Sequence, residues 1–80
     1  MSPRPRKAVD SSTYEGRFAM RLKQLREKAG LMPEEVAEAV GVDQRTIYRW
    51  ESGKFDPQIR HLPLLAAKFG IEVRTLLPKK

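Results

Sequence analysis

Glycines at positions 30, 41, 53 and 70 leave room between them only for short elements, and apolar residues in those intervals recur with a helical, not an alternating, period. Phe18, Leu22 and Leu25 fall at i, i+4 and i+7, Ala29 extends the stripe, and Gly30 follows as a helix stop. Pro33 suits a first helical turn, where its missing N–H has no helical partner, and Glu34 and Glu35 sit at the positive end of the helix dipole. Val36, Ala37 and Val40 form the apolar face of that second helix, which Gly41 stops. Asp43 is placed as the N-cap of a third, in which Ile47 and Trp50 are the apolar pair and Ser52-Gly53 the end. Lys54 to His61 reads as a loop. Leu62-Pro63 then opens a fourth helix carrying Leu65, Ala66 and Phe69, and a short fifth runs from about Glu72 to Leu77. The spacing predicts an all-α fold of five short helices over residues 14–80. Residues 1–13, with two prolines, three serines and three basic residues, read as a flexible basic arm.

Eighty residues make one domain with a small core, too little scaffold for a deep substrate cleft. With no cysteine and one histidine, neither a disulfide framework nor a protein-only zinc site is expected, and no cofactor is implied. No nucleophile, base and orienting group stand in a recognisable set, which argues against an enzyme. The longest apolar run, Leu64 to Ala67, falls far short of the roughly 20 residues of a membrane span. The basic N-terminus is not followed by a signal-peptide core, so a cytoplasmic location is expected. Sixteen Lys and Arg against ten Asp and Glu leave a net charge of +6, a balance that favours a polyanion as partner.

Two short helices joined by a glycine-containing turn, each with an inward apolar face, make a helix-turn-helix over residues 33–52. Its second helix, residues 43–52, carries Gln44, Arg45 and Arg49 on the side opposite Ile47 and Trp50. These are side chains for base edges: arginine can bond guanine O6 and N7 bidentately, and glutamine adenine N6 and N7. Thr46 and Tyr48 are further candidate contacts. Tyr48 fits two roles equally, touching a phosphate or thymine methyl, or covering apolar surface. The spacing of Trp50 from Ile47 places it in the core and not against DNA.

The stretch from Leu22 to Leu77 resembles the lambdoid phage repressor and Cro family. The shared residues include Leu25-Arg26, Gly30-Leu31, Glu35-Val36-Ala37, Val40-Gly41-Val42 and Leu65-Ala66, and the run from Thr46 to Lys54 is the most specific part. The resemblance implies a five-helix domain that binds double-stranded operator DNA, commonly as a homodimer on a palindrome. It implies base reading by Gln44, Arg45 and Arg49, and phosphate contacts by Lys54, Arg60 and His61. Arg26 and Glu51 match an ion pair between the first and third helices, the favoured role of Arg26, with a phosphate contact as its alternative. One departure stands out: Met32-Pro33 replaces the polar cap and glutamine that usually clamp a phosphate at the second helix.

On this reading the arm over residues 1–13 is either a solvated tail or a strand of charge that follows the DNA backbone or enters a minor groove. Val73, Leu76 and Leu77 give the last helix more apolar surface than a small core needs. One of the two leucines should face inward, and the rest forms a two-fold self-contact or packs within the monomer. A competing function is a protein-interaction module that keeps the fold and uses its surface, exposed Met32 included, for a protein partner.

Overall fold

In a computed structural model that describes residues 9–79, the chain forms five α-helices and one 3-10 turn, with no strand among the described residues. The helices are α1 (Tyr14–Lys28), α2 (Pro33–Val40), α3 (Gln44–Glu51), α4 (Leu62–Phe69) and α5 (Val73–Leu76). The 3-10 turn, Ile59–His61, runs directly into α4. α3 packs on both α2 and α1, α4 packs on α2, and α5 is held by α4 and α1. One core results, built from Phe18 and Leu22 of α1, Val36, Ala37 and Val40 of α2, Ile47 and Trp50 of α3, Leu65 and Ala66 of α4, and Leu76 of α5.

The turn between α2 and α3 sets the angle of the pair. Gly41 adopts φ 83°, a left-handed conformation that costs a residue with a Cβ about 1–2 kcal/mol. Its N–H and that of Val42 both bond the Ala37 carbonyl, at 2.8 and 3.0 Å, so the chain reverses within two residues. Asp43 then caps α3, its carboxylate accepting from the Arg45 N–H. Half-buried Val42 fills the corner between the two helices.

Two expectations change. Ala29 is exposed, and the buried ridge of α1 runs Phe18, Leu22, Arg26, one residue every four, so a charged side chain takes the place given to an alanine. The ordered domain also begins before Tyr14. The Asp10 carboxylate accepts from the N–H and hydroxyl of Ser12, and Thr13 Oγ1 accepts from the Gly16 N–H at 2.9 Å, capping α1. Val9 is half-buried and lies against Gly53, and residues 10–13, though exposed, form a hydrogen-bonded turn ahead of α1. The remainder of the proposed arm, residues 1–8, lies outside the described residues.

Gly16 makes that turn possible. A Cβ there would stand 1.6 Å from the Asp10 carbonyl oxygen, a backbone atom that can move only with its segment. Gly16→Ala is therefore expected to unseat residues 10–13 and forfeit the Thr13 cap, a loss of about 1 kcal/mol. Thermal melting and limited proteolysis around Asp10 check this. Because alanine gains about 1 kcal/mol of helix propensity over glycine, the proteolysis decides: unchanged resistance around Asp10 would mean that the turn tolerates a Cβ at position 16.

Candidate nucleic-acid interface

α3 has two chemically distinct sides. Ile47, Trp50 and Glu51 are buried, and Gln44, Arg45, Tyr48 and Arg49 are exposed on the opposite side, where the i, i+4 pairs Gln44/Tyr48 and Arg45/Arg49 form two adjacent rows. Thr46 is half-buried at the margin. The three side chains expected to read bases thus share one solvent-exposed surface of α3.

Two contacts order that surface. The Tyr48 hydroxyl accepts from Gln44 Nε2 at 3.2 Å, one helical turn away. The Arg49 guanidinium lies over the Phe55 ring, 5.5 Å from its centroid. Sequence reasoning did not single out Phe55. It sits in an irregular segment where no periodicity separates inside from outside, and its aromatic ring, in a loop that also holds Pro57 and Ile59, was a weak signal.

α3 is fixed from its inner side by the Arg26–Glu51 ion pair. Arg26 Nε meets Glu51 Oε2 at 2.6 Å, Nη2 meets Oε1 at 3.2 Å, and Nη1 donates to the Leu31 carbonyl at 2.8 Å. One guanidinium thus ties α1, the turn after it and α3. The hydrogen bond that Arg26 donates to Glu51 holds its pKa above its ordinary value, against the opposing effect of burial. This corrects the expectation that Arg26 also reaches phosphate. The residue is 8% exposed and three of its N–H groups are bonded inside the domain, which places it in the ion pair and not at a phosphate.

The other residues expected at phosphates lie beyond α3. Lys54 and Arg60 are exposed. His61 is half-buried, its ring 5.1 Å from that of Trp50, and its Nδ1 accepts from the Gln58 N–H at 3.1 Å. That bond leaves Nε2 as the ring's remaining polar atom. Trp50 is core, 3% exposed, and does not face the Gln44–Arg49 surface.

Charge around α3 is lopsided. On the α2 side Gln44 borders Glu34, Glu35 and Glu38, whereas Arg49, Lys54 and Arg60 lie toward or beyond its C-terminal end. At the start of α2, Met32 offers no side-chain cap and the Glu35 carboxylate accepts its N–H at 2.7 Å. An anion brought to that helix start would meet a carboxylate already on the amide it needs.

The expected self-contact is also revised. Leu76 is completely buried, packed between α4 and α1, and so is unavailable to a partner. Val73 and Leu77 are exposed. Among the described residues no helix is long and apolar enough to cross a membrane.

Comparison with known proteins fits this geometry. The chain is 36% identical over 56 residues to an uncharacterized HTH-type transcriptional regulator of Archaeoglobus fulgidus, covering 70% of this chain and 80% of that protein. Among solved structures it is similar to the restriction-modification controller protein C.AhdI from Aeromonas hydrophila, with a TM-score of 0.71 and 32% identity, covering 75% of this chain and 91% of that one. A transcriptional regulator from Listeria innocua superposes with a TM-score of 0.68 at 33% identity, over 75% of this chain and 56% of the other. A hypothetical transcription factor from Neisseria shares the fold, with a TM-score of 0.76 at 21% identity, over 95% and 87% of the two chains. A helix-turn-helix family model matches residues 22–76, from the middle of α1 to the end of α5. The chain belongs to the Cro/C1-type helix-turn-helix family.

Proposed function

We propose that this DNA-binding transcriptional regulator reads double-stranded DNA sequence-specifically by laying α3 in the major groove. The observation that carries the reading is the exposed Gln44, Arg45, Tyr48 and Arg49 surface, backed by a buried face that fixes the helix rigidly. Gln44, Arg45 and Arg49 read base edges, and Tyr48 holds Gln44 in place. Lys54, Arg60 and His61 position the protein on the phosphates, a role that supplies affinity without sequence preference. The acidic α2 side favours a pose in which the backbone is gripped chiefly by the basic segment after α3. The Met32-Pro33 start of α2 then contributes no phosphate clamp.

The protein acts as a non-enzymatic regulator in the cytoplasm and binds a palindromic operator as a homodimer. Val73 and Leu77 supply the self-contact, and a two-fold arrangement spaces the recognition helices by about one DNA turn, roughly 34 Å. So small a patch gives a weak free dimer that the duplex consolidates.

Selection of bound duplexes from a random pool, followed by affinity measurement across salt, tests the whole reading. Arg49→Ala and Gln44→Ala are expected to cost about 1–3 kcal/mol each on the selected site and far less on random duplex. Lys54→Ala should weaken all sequences alike and lower the log–log salt slope by about 0.9. Equal losses on selected and random DNA for Arg49→Ala would move that residue to the backbone, and one protomer per site at saturation would remove the dimer.

A further inference from the structure

We infer that Phe55 is a positioning residue for Arg49, and thereby decides how sharply one base pair of the site is read. The inference rests on the assignment of α3 as the helix that enters the groove. Arg49 lies in the last turn of α3, where its long side chain is exposed and, among the described residues, has no carboxylate partner. What it does have is the Phe55 ring, 5.5 Å away, within the range at which the negative face of an arene attracts a guanidinium. That attraction acts through the π face and accepts no N–H in a hydrogen bond of ordinary geometry. The donor fork that guanine O6 and N7 require is left free.

The ring is itself held where it is needed. After α3 the chain turns through Gly53 at φ 80°, and Ser52 Oγ fastens the turn, donating to the Arg49 carbonyl at 2.7 Å and accepting from the Lys54 N–H at 3.3 Å. This brings Phe55 back alongside α3. Phe55 takes no part in the core and is 56% exposed, a state that wastes the driving force a phenyl ring gains from burial. Its place at the reading surface gives that exposure a use. Fixing a flexible arginine before binding lowers the ordering cost of engaging one base, and a cation that is free to swing engages neighbouring bases and phosphates as well.

The test is a double-mutant cycle on the full chain, using the duplex that the wild type selects and its single-base-pair variants. Phe55→Ala should weaken binding to the selected duplex about 3- to 10-fold. It should flatten preference at the same base pair that Arg49→Ala flattens, and cost nothing further in the Arg49→Ala background. Phe55→Leu, which keeps apolar bulk without the π face, should behave like Phe55→Ala, and Phe55→Tyr should restore discrimination. Melting of each variant separates these effects from loss of fold. Additive losses for Phe55 and Arg49, an effect at a different base pair, an equal loss on every sequence, or full activity in Phe55→Leu would each overturn the inference while leaving α3 as the reading helix. A wild type with no preference among duplexes would instead overturn that underlying assignment.

Discussion

Glu51→Ala should be among the most damaging single substitutions in this domain, with a loss of about 3–5 kcal/mol of folding stability. The pair it breaks is buried, with side-chain exposures of 10% for Arg26 and 7% for Glu51. Arg26 cannot escape by losing its proton, because guanidinium groups stay charged at any pH a protein tolerates and this one is held higher still. Removing the carboxylate leaves a buried cation with only the Leu31 carbonyl as partner. Against a total stability of about 5–15 kcal/mol for a natural domain, the loss brings unfolding close to physiological temperature. The penalty comes from stranding a charge, not from a large net gain in the intact pair. The double substitution Arg26→Met, Glu51→Leu should therefore recover most of the stability. Denaturant melts of the three proteins decide the matter. A loss under about 1 kcal/mol for Glu51→Ala would put the pair in the class of solvated surface bridges, like the exposed Glu72–Arg74 contact.

Trp50→Ala is expected to cost a further 3–5 kcal/mol by a different route, the cavity left by a buried indole. Trp50 is packed in the common core from α3 and also supports the His61 ring, so its removal loosens both the reading helix and the segment after it. Duplex affinity should fall steeply, chiefly because the folded fraction falls. An osmolyte excluded from protein surfaces, which favours the compact state without adding contacts, should restore much of the binding. If the folded fraction recovers and binding does not, Trp50 has a role at the DNA that its burial denies. Trp50→Phe, which refills part of the volume, should fall between wild type and Trp50→Ala.

Most of the architecture was legible because its causes are local. The glycine stops, the proline at the start of α2 and the apolar spacing of α2 and α3 each act within a few residues, and the helix-turn-helix follows from them. Arg26 was harder. Its partners include a carboxylate 25 residues away, and only a resemblance to known proteins placed that carboxylate beside it. From spacing alone a basic residue next to an apolar stripe reads as solvated. Leu76 and Leu77 were inseparable for another reason: α5 has four residues, too few for a period to declare which side faces in. The turn over residues 10–13 was not legible because the polar residues that favour solvent are also those that build caps and tight turns. Phe55 belongs to the same class, since its meaning depends on how one turn brings it back beside a helix.

The seating of Val9 against Gly53 has a practical corollary. The polypeptide enters the domain next to the bend that follows the reading helix, so anything attached at this point is in a position to sense what docks there. The sequence has no cysteine, and a single thiol introduced by Ser11→Cys, at an exposed position, would be chemically unique. A fluorophore on it gives a proximity reporter whose signal registers arrival of a duplex in real time, with no label on the nucleic acid.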